Sequence, residues 1–176
     1  MTDTLPLSHF YNLGRLGHAG DTVRFAADAQ ECAAIAQWSG VLSLQKLDVQ
    51  VEIKKLGPVR FGLDFTLDVD VTQACVVTLE PVPAHREWRF GRELEFVGAQ
   101  RHKPETDSAG ALVLDSDAEE APEEIQSLHY DLAAPALEEY VLSLEPYPRR
   151  PGVAFVPPKE DLEPPQSPFA VLKERK

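Results

Sequence analysis

Between Val59 and Val71 every second residue is apolar. Val59, Phe61, Leu63, Phe65, Leu67, Val69 and Val71 alternate with Arg60, Gly62, Asp64, Thr66, Asp68, Asp70 and Thr72. A strict period of two over such a length predicts a long β-strand with one buried and one wet face. Just upstream, Leu47, Val49, Val51 and Ile53 alternate with Asp48, Gln50, Glu52 and Lys54, and Gly57-Pro58 separates the two runs. The pair therefore predicts an antiparallel hairpin. Trp88, Phe90, Leu94 and Phe96, interleaved with Glu87, Arg89, Glu93 and Glu95, predict a third strand, and Val23 with Phe25 a shorter one.

A half-wet sheet needs a cover on its apolar face, and the sequence offers two helices. Asp28 with Glu31 three positions on has capping-box spacing, and Cys32, Ile35, Ala36 and Ser39 share a side before Gly40. A second helix is expected from about Leu132 to Leu144, stopped by Pro146, with Leu137, Val141 and Leu144 as its apolar stripe. The fold class that follows is α+β: an antiparallel meander sheet packed with two short helices. We expect one domain over residues 1–148, with residues 99–124 as a mobile acidic insertion that contains DSDAEEAPEE. Residues 149–176, rich in proline, are expected to form an extended tail.

The 176 residues carry 29 acidic against 17 basic side chains, a formal net charge of -12. That sign disfavours coating a phosphate backbone and suits a basic partner. MTDTLPLSHF shows no export signal, and no apolar run approaches the ~20 residues that span a bilayer, so a cytoplasmic protein without membrane contact is expected.

Chemistry is sparse. Cys75, in CVVTLEPVP, has the parity of Val69, Val71, Val77 and Leu79, which predicts a core-facing, inert thiol at a strand end. Thr78, where a C-x-x-C would put its second sulfur, offers no thiolate, so zinc is not expected. His9, His18, His85, His102 and His129 lack metal spacing, and no nucleophile or phosphate-loop motif occurs. Adjacent Glu138 and Glu139 diverge by ~100° on a helix and read as a solvated face rather than an acid-base pair. These residues predict no catalysis, cofactor, metal or small-molecule substrate.

Three blocks of sequence resemble the YceD family, the large ribosomal RNA subunit accumulation proteins. Cys75, Leu79, Glu80 and Pro81 match the ends of its C-x-R-C-L-E-P, with Val77 and Thr78 in place of the arginine and second cysteine. Asp131 and Leu132 match its I-D-L, with Tyr130 for isoleucine, and Glu138, Leu142 and Leu144 match the helix beyond. Pro168, Phe169, Ala170, Leu172 and Lys173 match its N-P-F-A-x-L-K ending. The C-terminal cysteine cluster of some members is missing, and PYPRRPGVAFVPP stands there instead.

The resemblance implies a non-enzymatic role in accumulation or processing of 23S ribosomal RNA. Charge favours a ribosomal protein or processing factor as partner. The acidic residues Asp64, Asp68, Asp70, Glu87, Glu93 and Glu95 of the wet strand faces are its expected seat. Direct RNA contact is the rival, through Arg149, Arg150, Lys173, Arg175 and Lys176, with Tyr147 and Phe169 available to stack on bases.

Overall fold

The computed structural model describes residues 5–98 and 121–154 of the chain. Five strands form one sheet in the order β2-β3-β4-β5-β6: β2 Asp21–Ala26, β3 Ser43–Lys55, β4 Arg60–Ala74, β5 Pro81–Phe96 and β6 Glu123–Ile125. β2 to β5 pair antiparallel, and β6 runs parallel to the end of β5. A small ribbon of β1 Phe10–Asn12 and β7 His129–Asp131 lies apart from it. Helices α1 Ala29–Ser39 and α2 Ala133–Ser143 complete the α+β fold. Neither is long and apolar enough to cross a membrane.

The alternation places the core as the period of two requires. Leu47, Val49, Val51 and Ile53 of β3 and Phe61, Leu63, Phe65, Leu67, Val69 and Val71 of β4 are all buried. Val59 falls in the hairpin turn, where Leu56 and Gly57 both donate to the Arg60 carbonyl. On α1 the capping box forms: Asp28 accepts from the Gln30 and Glu31 amides, and Glu31 accepts from the Asp28 amide. Gly40 ends the helix at φ 72°. Cys32, Ile35 and Ala36 face the core.

β5 is longer than the sequence suggested, because Pro81 and Pro83 belong to it. The Cys75 amide donates to the Glu80 carbonyl and the Phe96 amide to the Val59 carbonyl, so even-numbered residues of β5 direct their backbone groups at β4. Odd-numbered residues direct theirs away. Both prolines are odd, and there a missing N–H costs no ladder hydrogen bond.

The stripe on α2 also differs. Ala133, Pro135, Ala136, Leu137 and Tyr140 are buried, whereas Val141 is exposed and Leu144 only half-buried. The helix is turned by one position from the expected Leu137-Val141-Leu144 line. Ala133 and Ala136 are fully buried. The Tyr140 hydroxyl, 3.2 Å from Ser39 Oγ, ties α2 to α1.

Candidate functional site

The described residues of the family-like blocks fall along a seam that fastens α2 and the chain beyond it to the sheet. At its start, Asp131 Oδ1 accepts from the Ala133 amide at 3.0 Å and from the His9 amide at 2.7 Å. It thus ties the first turn of α2 to the N-terminal segment with one carboxylate. Leu132 is buried, and its amide donates to the His9 carbonyl.

Along the seam two arginines on the inner face of β5 reach α2. Arg92 donates to Glu138 at 2.6 Å and lies 3.5 Å from Glu139. Arg86 donates to the Ser143 carbonyl at the helix C-terminus at 2.8 Å, where a cation also suits the helix dipole. Glu138 and Glu139 are therefore bound to the sheet through one guanidinium, not merely solvated. Leu142, although it matches the family pattern, is 71% exposed.

The seam ends at the turn between β4 and β5. Gln73 and Glu145 exchange two hydrogen bonds, and the Val76 amide donates to the Pro148 carbonyl. Arg150 donates to Glu80 at 2.6 Å. The packed body thus continues past residue 148, and Arg150 is engaged within it. Arg149 and Tyr147 are exposed. Lys173, Arg175 and Lys176, with Pro168, Phe169, Ala170 and Leu172, lie outside the described residues.

Cys75 is buried as expected, yet not on a strand. β4 stops at Ala74, and the Leu79 amide closes a turn on the Cys75 carbonyl. The parity argument fails beyond residue 74 because the chain reverses there, with Leu79 in the left-handed region at φ 60°. Cys75 also stands outside the main hydrophobic cluster. The Thr78 hydroxyl first, and then the amides of Arg150, Thr78 and Val77, pull the thiol down to about 6 against burial, which acts the other way. These groups come from the turn and from Arg150, 75 residues on, which no local spacing announces. Glu80 is held below its ordinary value, mainly by Arg150.

Glu80 and Pro81 thus have tasks in the fold, but the side chain of Leu79 has none visible. Its side chain is 77% exposed on a backbone conformation that leucine rarely adopts. Val76 and Tyr147, 46% and 70% exposed, belong to the turn and to the segment bonded to it.

The six acidic residues of the expected partner face do share the wet side of the sheet. Four have basic neighbours: Asp64 with Lys54, Asp68 with Lys46, Asp70 with His85, and Glu93 with Arg60. Glu87 and Glu95 have no ion pair among the described residues. By register, the row Asp48-Asp68-Glu87 is followed by Arg24-Gln50-Thr66-Arg89 and then by Glu52-Asp64. The face is banded in charge rather than uniformly acidic. Of the acidic insertion, Glu123 and Glu124 form part of β6, and Glu123 accepts from the Tyr130 hydroxyl. Asp115 to Glu120 lie outside the described residues.

No family model, curated protein or solved structure matches this chain.

Proposed function

We propose that this protein is a non-enzymatic cytoplasmic factor in large ribosomal subunit biogenesis that supports 23S ribosomal RNA accumulation by binding a basic protein, a ribosomal protein or a processing factor. The proposal rests on the three sequence blocks that resemble the YceD family. The structural observation that carries it is the turn Cys75–Glu80. Inside the most distinctive block, the strained backbone of Leu79 closes the turn while its side chain is left exposed, which suits a contact residue. The banded face, still rich in carboxylates, supplies the charge that would draw a basic partner towards it.

Direct RNA contact is less well supported, since Arg150 is committed to Glu80. The test compares three variants for ribosomal-particle profiles and for proteins captured by the tagged chain. Leu79→Asp should reduce large-subunit accumulation and partner capture with the melting temperature nearly unchanged. The triple change Asp64→Asn, Asp68→Asn, Asp70→Asn should weaken capture in a salt-dependent way. If both variants behave as the parent while Arg149→Ala abolishes function, the RNA reading replaces this one.

A further inference from the structure

Among the described residues, the outer edge of β5 is open over most of its length. β4 pairs with the whole strand from Pro81 to Phe96, whereas β6 covers only Leu94 to Phe96 on the other side. Odd-numbered residues direct their backbone groups outward, so the open window presents the N–H and C=O of His85, Glu87, Arg89 and Gly91. It is closed at one end by Pro83, which has no N–H to give, and at the other by β6. Such an edge is a template for another strand.

We propose that a second copy of this chain occupies the window, β5 against β5 in antiparallel fashion, about a two-fold axis at Trp88. The window itself selects the register. Hydrogen-bonded pairs must join outward-facing residues, and a two-fold axis at Trp88 sets Glu87 opposite the partner's Arg89 and His85 opposite the partner's Gly91. Each such pair exchanges two main-chain hydrogen bonds. The next outward pair would be Pro83 with Glu93, where the proline and β6 both end the ladder. The limits of the window are thus symmetric about the same residue.

Side chains on both faces suit this pairing. On the wet face, Glu87 stands directly across β4 from Asp68, a like-charge neighbour, and Lys46 bridges Asp48 and Asp68 but not Glu87. Arg89 lies beside Thr66, and it too has no ion pair among the described residues. The proposed register gives each the opposite charge it lacks, twice over by symmetry. On the inner face, Trp88 is half-buried at the edge. Arg92 holds Glu138, and the helical repeat places Leu142, four residues on, on the same side of α2 as that acid. Trp88 and the exposed Leu142 would therefore lie at the axis, where a second copy would bring the same pair against them.

Light scattering on the eluting full-length chain tests this. The parent should run as a dimer. Glu87→Arg and Arg89→Glu should each weaken dimerisation by at least ~10-fold, because each sets like charges opposite one another at two symmetric places. An equimolar mixture of the two variants should dimerise again, and so should the double variant alone. Glu87→Pro removes only an outward N–H and should give a monomer with an unchanged circular dichroism spectrum. A monomeric parent, single reversals that dimerise like the parent, or variants that the mixture and the double change do not restore would each overturn the proposal. A monomeric parent that captures an extended basic peptide on β5 would overturn it too, assigning the edge to another chain.

Discussion

Arg150 and Glu80 meet at 2.6 Å across seventy residues of chain, and this contact pins the segment after α2 to the turn between β4 and β5. Beside it, the Val76 amide donates to the Pro148 carbonyl at 2.9 Å. The segment is thus held by one charge-assisted contact and a few main-chain bonds at the surface, an arrangement prone to local opening.

Glu80→Ala should release that segment without unfolding the sheet. The amide of Val76 should exchange roughly tenfold faster, while those of β4 stay protected. Acid should have the same effect on the parent. Glu80 is held below its ordinary value by Arg150, so the contact is present at neutral pH and is lost as pH falls through the depressed folded value. Exchange at Val76 that is unchanged in the variant would show that Arg150 does not fasten the segment.

The turned stripe of α2 gives a second prediction. Leu137 is fully buried against the sheet, so Leu137→Ala should cost about 2–5 kcal/mol. Val141, one helical turn on and placed by sequence on the same stripe, is partly in solvent, so Val141→Ala should fall within about 0.5 kcal/mol of the parent. Chemical denaturation separates the two. Equal losses would restore the stripe expected from sequence.

That pair shows what the sequence made legible. Strand alternation is a period of two, and a slip of one residue inverts every side chain, so β3 and β4 could be read from Leu47 to Val71 with their faces assigned. The capping box of α1 was equally local. A short helix is less constrained, because neighbouring positions differ by ~100° and alanine can serve as core or surface. Ala133 and Ala136 carried no signal against Val141 and Leu144. The missed site features were long-range. Arg150 meeting Glu80, Arg92 meeting Glu138, and amides turned onto Cys75 join segments whose approach no spacing encodes. Only the reversed parity of Pro81 and Pro83 was available to mark the open edge of β5.

Cys75 carries the last prediction, which concerns pH. Its thiol is shifted from 9.0 down to about 6 by the Thr78 hydroxyl and by the amides of Arg150, Thr78 and Val77. A group ionising more readily when folded adds stability that is fully present above its unfolded value and is lost as pH falls through its folded value. Stability from Cys75 should therefore rise between about pH 6 and 9. Melting temperatures of the parent and of Cys75→Ala should diverge over that interval and run parallel below it. The Thr78 hydroxyl, which donates to Glu80 Oε2 at 3.2 Å, is the largest of these influences. Thr78→Val removes that influence and should move the midpoint of thiolate absorbance upward, while leaving the amide contribution in place. If the parent and Cys75→Ala melt in parallel across the whole interval, the sulfur is an ordinary buried thiol, and the donors around it serve only the turn.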